Sequence, residues 1–229
     1  MERIPLVLLH GALGSKAMLD PLKHLLEEDY EVYSFDFPGH GGSMLFPERF
    51  DLADFAREIH SHLEDLHISK VNIFGYSMGG YVALWMAKLF PDSVNKIVTL
   101  GTKFDWTPES ANHEIRFLDP QKVKAKVPAF AHALHERHEQ HDWEKIMTQT
   151  AEMMQGLGNG KALQTIDFIQ IHHPVKIMVG DQDNMVSAEE SHRVASDLPF
   201  GVFKIMLNAP HPLEKVYLGN LKKEISEFL

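Results

Sequence analysis

The sequence predicts a doubly wound α/β fold: a mainly parallel sheet of about six strands in a three-layer sandwich, with an inserted helical cap. Two observations predict it. Short apolar runs bounded by glycine, proline or polar residues alternate with stretches whose apolar residues recur at helical spacing. Strands separated by helices pair in parallel, through right-handed crossovers that lay helices on both faces. One stretch, from about Lys103 to Ile171, holds no strand-like run and is punctuated by Pro108, Pro120, Pro128 and three glycines at 156, 158 and 160. It reads as several helices inserted between two strands.

In chain order, the strand-like runs are Ile4 to Leu9, Glu31 to Phe35, Val71 to Tyr76, Lys96 to Leu100, Val175 to Val179 and Val202 to Leu207. All six read as buried strands, because four to eight apolar residues between turn signals fit a sheet covered on both faces. The clearest helix places Leu52, Phe55, Ala56, Ile59, Leu63 and Leu66 on one stripe and opens at Asp51, a suitable N-cap. Within the insertion, Phe130 and Leu134, then Trp143, Ile146, Met147, Thr150, Met154 and Leu157, follow helical spacing, so each helix has an apolar side in need of a partner. The expected division is a core of residues 1–102 and 171–229 with a cap of residues 103–170.

Composition narrows the function. The 229 residues carry 22 Lys plus Arg against 32 Asp plus Glu, a net charge of −10. A surface of that sign repels phosphate backbones, so nucleic acid is not an expected partner. There is no cysteine, which removes disulfides, thiolate metal sites and cysteine nucleophiles together. No apolar run approaches the ~18 residues of a membrane span, and the start is too short and too weakly basic for a signal peptide. A soluble, cytoplasmic protein acting on a small molecule, as monomer or homodimer, is the expectation.

The strongest chemical signal is Gly75-Tyr76-Ser77-Met78-Gly79, with Gly80 behind it, where the third strand meets a helix running from about Met78 to Phe90. A serine in that context sits on a strained strand-to-helix turn that pushes its Oγ over the sheet edge. Small residues two before and two after it are needed because the turn brings backbones together.

Four motifs in order carry a resemblance along nearly the whole chain: His10-Gly11-Ala12, Asp36-Phe-Pro-Gly-His-Gly-Gly-Ser43, Gly75-Tyr-Ser-Met-Gly79, and Gly180-Asp-Gln-Asp183 followed by Ala209-Pro-His211-Pro. The sequence resembles the α/β-hydrolase superfamily. The resemblance implies the order nucleophile, acid, histidine, which Ser77, Asp183 and His211 keep. His211 follows the last strand-like run between two prolines that restrict its loop. His10, His40, His172 and His173 also lie near strand ends, and the family pattern selects His211 among them. Either Asp181 or Asp183 could orient it, and the resemblance favours Asp183, which an apolar loop residue follows two positions later. The oxyanion donors it implies are the backbone N–H groups of Met78 and Ala12. His10, Asp36 and His40 read as loop-bracing residues. The strand order implied is 2-1-3-4-5-6, with the cleft at the carboxyl ends of the strands. Only Met1 to Arg3 precede the first strand, so the hairpin that many members carry there is not expected.

A serine at the elbow, in place of aspartate, sets the chain apart from the dehalogenases and epoxide hydrolases of the superfamily. The reading is a serine esterase or thioesterase working through an acyl-enzyme, with no metal and no cofactor. Cofactor-free haloperoxidases or perhydrolases, carbon–carbon bond hydrolases or lyases, and non-catalytic binding members share the layout. Phe104, Trp106, Phe117, Phe130 and Trp143 of the cap are the candidate substrate-binding residues. His132, His135, His138 and His141 recur at a step of three that drifts around a helix, so they read as a solvated face and not as ligands of one ion. The run Lys122-Val-Lys-Ala-Lys126 likewise reads as a wet face.

Overall fold

A computed structural model describes residues 4–229; Met1 to Arg3, and with them the expectation about an N-terminal hairpin, lie outside the described residues. The sheet has six strands, β1 (Leu6–Leu9), β2 (Val32–Phe35), β3 (Val71–Tyr76), β4 (Val94–Leu100), β5 (Val175–Gln182) and β6 (Gly201–Pro210). They stand in the order β2-β1-β3-β4-β5-β6, and every pairing is parallel. The doubly wound sandwich and its strand order are as the sequence predicts. No helix among the described residues is long and apolar enough to cross a membrane.

Alternation along β1 divides the core into two layers. Leu6 and Leu8 pack with Leu22 and Leu26 of α1 (Asp20–Leu26) and, beyond them, with Leu221 and Ile225 near the C-terminus. Val7 and Leu9 face the opposite layer, with Phe55, Ile59 and Leu63 of α2 (Leu52–Asp65) and Val82 and Met86 of α3 (Met78–Leu89). A period of two on the strands and 3.6 on the helices is what lets one sheet bury both faces. Asp51 caps α2, its side chain accepting from the Ala53 N–H, and the helix buries Leu52, Phe55, Ala56, Ile59 and Leu63 as expected. Leu66 departs from the predicted stripe. It falls just past the last helical turn and is 47% exposed.

The last strand also departs from the sequence reading. β6 is the edge of the sheet, and Val202, Ile205 and Leu207 lie exposed where a fully buried strand was expected. An edge strand has only one neighbour to cover it, a fact of topology that an apolar run does not encode.

Between β4 and β5 the regular elements are all helical: α4 (Pro108–Ile115), α5 (Pro120–Lys126), α6 (Pro128–Arg137), α7 (Trp143–Gly156), a single wide turn over Leu157–Lys161, and α8 (Thr165–Ile169). Three of these helices begin on proline, which fits the first turn because its missing N–H would have no partner there. Two further helices, α9 (Ala188–Asp197) and α10 (Leu218–Ser226), complete the two outer layers.

Candidate active site

Parallel register brings the site together. Leu9 pairs with Gly75 and Gly75 with Thr99, so β1, β3 and β4 end side by side. The loop after β1 begins at His10, Ser77 follows β3, and Gly101 follows β4. Asp183 follows β5 directly, and His211 follows β6. Five segments remote in sequence therefore meet at one sheet edge, where parallel strands place their carboxyl ends.

Ser77 holds a left-handed backbone, φ +52° and ψ −118°, a conformation that costs on the order of 1–3 kcal/mol for a residue with a side chain. The flanking glycines make it possible. A Cβ at Gly75 would lie 2.4 Å from the Gly80 backbone, and one at Gly79 would lie 2.3 Å from the Leu9 carbonyl. The turn is also tied from outside: the Thr102 hydroxyl donates to the Ser77 carbonyl at 2.9 Å, and the Ser77 N–H donates to the Leu100 carbonyl at 2.8 Å.

The Ser77 Oγ and His211 Nε2 lie 3.3 Å apart, and His211 Nδ1 lies 2.8 Å from Asp183 Oδ2. Burial pushes the Asp183 carboxyl up, but its contacts with His211 and with the N–H groups of Met185 and Val186 prevail and hold it below the usual carboxylate range. An ionised Asp183 favours the tautomer in which His211 Nδ1 carries the proton and Nε2 is free to accept one from serine. Asp181, the other carboxylate the sequence left open, accepts from the Ala209 N–H at 3.3 Å and braces the start of the His211 loop. Gly101, at φ +63°, passes close beneath the pair: a Cβ there would come within 3.2 Å of Asp183 Oδ2 and 3.3 Å of the His211 ring.

Ala12 and Met78 line the same cavity as Ser77 and His211. Among the described residues, neither of their backbone N–H groups has an acceptor within the protein. For Met78 this follows from its place as the first residue of α3, where N–H groups lack an intrahelical partner. Two free donors and an activated hydroxyl opening into one cavity can together bind a carbonyl, attack it and hold the negative oxygen that results.

The candidate substrate-binding aromatics separate. Trp106 lines the cavity. Phe104 is buried beside it but packs against Tyr81 and Phe168, and Trp143 is buried under Lys124. Phe117 and Phe130 face away, 66% and 41% exposed. Apolar character alone does not say on which side of a helix lies the core, the cavity or the solvent. Methionines supply much of the wall: Met153 and Met154 on α7, and Met185 beside Asp183, together with Leu52, Leu157 and Val186. Lys103 and Glu114 add the two charged groups of the lining.

Other residues were missed because their role depends on contacts between distant segments. Tyr76 donates from its hydroxyl to the His211 carbonyl at 2.9 Å, its phenol pushed further up by burial. His138 is fully buried, which corrects the solvated-face reading of the histidine row. Its Nδ1 accepts from the Gly41 N–H at 2.9 Å, and its Nε2 lies 3.1 Å from the Leu13 carbonyl. Arg137 donates to the same carbonyl at 2.8 Å, and His141 holds the Ser43 carbonyl at 2.7 Å. The residue after Ala12 is thus gripped by the helical segment. Under the loop, His10 Nε2 accepts from the Phe37 N–H at 3.2 Å, and Asp36 accepts from the Lys16 and Gly42 N–H groups. Burial lowers His10 to about 4, against a weaker opposing pull from its hydrogen bond to Gly11, and lowers His138 to about 4 as well.

The architecture and the motif order define a class, and comparison with known families agrees: the alpha/beta hydrolase fold model matches residues 4–145, and the chain belongs to that family. Among curated relatives, a serine hydrolase-like protein of Danio rerio is 32% identical over 100 residues, 43% of this chain. That match spans only 31% of the relative's length. The (E)-2-((N-methylformamido)methylene)succinate hydrolase of Acinetobacter baylyi is 24% identical over 226 residues, 92% of this chain and 84% of its own. Among solved structures, NosK from Streptomyces actuosus superposes with a TM-score of 0.87 at 18% identity, covering 99% of this chain and 97% of its own. At that identity the likeness is one of fold.

Proposed function

We propose that this chain hydrolyses small carboxylic esters or thioesters through an acyl-enzyme on Ser77. The observation that carries the reading is the continuous relay of 3.3 Å and 2.8 Å from Ser77 through His211 to Asp183, opening into a cavity that also presents two free N–H donors. Ser77 Oγ attacks the carbonyl carbon as its proton passes to His211 Nε2, and the oxygen that becomes negative is held by the Ala12 and Met78 N–H groups. The tetrahedral adduct collapses, breaking the bond to the alcohol or thiol, which leaves with the proton from His211. Water then attacks the acyl-enzyme, giving its proton to His211. Ser77 takes that proton back as the acid departs, so that each cycle consumes one water and releases one alcohol or thiol and one acid.

Residues 103–170 act in this reading as the lid that shapes the pocket, with Trp106, Met153, Met154 and Leu157 forming an apolar acyl or alcohol site. The test is labelling by a fluorophosphonate with peptide mapping, run beside 4-nitrophenyl esters of rising acyl length. A single adduct on Ser77, with turnover that falls by about 10⁴-fold or more in Ser77→Ala, supports the reading. Undiminished turnover in Ser77→Ala overturns it.

A further inference from the structure

In a cavity walled by methionine, leucine, valine and tryptophan, two charged groups stand out. Lys103 follows Thr102, the residue whose hydroxyl grips the Ser77 carbonyl, so its backbone is tied to the elbow. Its ammonium lies 3.5 Å from Glu114 on α4 and 3.2 Å from the Met185 carbonyl, and about 6.0 Å from the centre of the Trp106 ring. Both side chains are largely buried, 17% and 8% exposed. Trp106 donates its indole N–H to the Lys103 carbonyl at 3.1 Å, so the aromatic wall and the lysine move as one unit.

These contacts leave the ammonium short of partners. A buried charge-assisted hydrogen bond settles near 2.7–2.9 Å, and neither contact of Lys103 reaches that. An ammonium has three donors, and the two contacts occupy two of them loosely. A largely buried cation with a loosely held donor in an apolar wall draws an oxygen acceptor more strongly than an exposed one does, because a lower local dielectric strengthens the bond. The paired Glu114 decides which kind. Lys103 and Glu114 already sum to zero charge, so a carboxylate entering beside them would bury a net negative charge close to Glu114. A neutral carbonyl oxygen takes the spare donor with no such cost.

We infer that Lys103 is the specificity-determining residue of this cavity and selects a substrate arm bearing a neutral oxygen acceptor, a ketone or amide carbonyl, over both a plain alkyl arm and a carboxylate arm. The inference rests on the proposed acyl transfer at Ser77, whose cavity Lys103 also lines, and it names the class of that substrate. Glu114 is a positioning residue: its carboxylate lies 3.5 Å from the ammonium and balances its charge.

The experiment compares three acyl arms of equal length, the 4-oxopentanoyl, pentanoyl and carboxybutanoyl 4-nitrophenyl esters, with the spontaneous hydrolysis of each ester subtracted from its enzymatic rate. The expected order places the 4-oxopentanoyl ester about tenfold above the other two in kcat/KM. Lys103→Met brings the ratio of 4-oxopentanoyl to pentanoyl to about one, and Lys103→Arg restores part of the preference. Glu114→Gln, which leaves the lysine unbalanced, moves the preference toward the carboxybutanoyl ester. Binding of methyl 4-oxopentanoate and methyl pentanoate to Ser77→Ala, measured by titration calorimetry, reads the same preference without chemistry, so failure of the nucleophile and failure of the lysine are told apart. Equal binding of the two methyl esters overturns the inference, as does a preference that survives Lys103→Met in protein of unchanged melting temperature.

Discussion

All four residues of β1 are fully buried and the strand is paired on both sides, whereas α6, ten residues long, buries only Leu134. The sheet is positioned by its backbone: register is carried by hydrogen-bonded ladders, and burial of both faces follows from apolar content along the strand. The helical segment between β4 and β5 shares the apolar core through residues such as Leu134, Ile146 and Met147, and individual polar side chains fix its attachment. His138, Arg137 and His141 reach back to the Leu13, Gly41 and Ser43 backbone, and Gln149 on α7 donates to the Pro47 and Glu48 carbonyls. Two of its lysines are paired locally, Lys122 with Asp119 and Lys124 with Glu144. A sheet edge that must hold reacting groups within fractions of an ångström is built from the many-bonded part. Much of the cavity wall comes from the helical segment, which joins the apolar core and is tied back by a few polar contacts.

The comparison can be broken at the sheet edge first, where the largest effect is expected. Asp183→Asn keeps the shape but loses the charge that sets the His211 tautomer, and should lower kcat by about 10⁴-fold, while Asp181→Asn, at a carboxylate that accepts from the Ala209 N–H and not from His211, should stay within a few fold. Steady-state hydrolysis of one activated ester checks both, and equal losses would mean the wrong aspartate orients the histidine.

Next in size is the joint between the two regions. His138→Ala removes two buried contacts and leaves the Gly41 N–H without its acceptor, and should lower stability by about 2–4 kcal/mol in urea unfolding. Because Leu13 adjoins Ala12, it should also lower kcat more than it raises KM. An unchanged kcat would show the loop after β1 to be held from the sheet side alone.

Acid tests the same joint without mutation. Burial holds His10 and His138 neutral in the folded chain down to about pH 4, against 6.5 in the unfolded one. Below pH 6.5 the unfolded chain binds protons that the folded chain refuses, so stability is full above that value and falls toward pH 4, by as much as about 3 kcal/mol per ring. Urea midpoints across that window check it, and in His138→Ala the slope should be shallower.

The smallest effect sharpens the contrast within the helical segment itself. Trp106→Ala should shift acyl-length preference by several fold, because the ring lines the cavity, while Phe117→Ala should leave both acyl preference and stability within about 0.5 kcal/mol. An acyl-length panel on the two variants separates them.

What the sequence by itself determined is the sheet and the identity of the groups at its edge. Strand and helix periods are local properties of the chain, the turn at Ser77 demands small residues at fixed offsets, and parallel alternation with right-handed crossovers restricts the strand order. Ser77 could therefore be named from its own turn, whereas Asp183 and His211 were implied by the resemblance to the α/β-hydrolase superfamily, and the residues alone left Asp181 open beside Asp183. Tertiary structure alone decided what surrounds them. Whether His138 is solvated or clamps Leu13, whether Phe130 or Met154 faces the cavity, whether β6 is covered, and that Lys103 and Glu114 share a wall with Ser77 all depend on contacts between segments far apart in the chain. Such contacts follow from how helices with similar apolar stripes settle on the sheet edge, and several arrangements satisfy the same periodicity equally well.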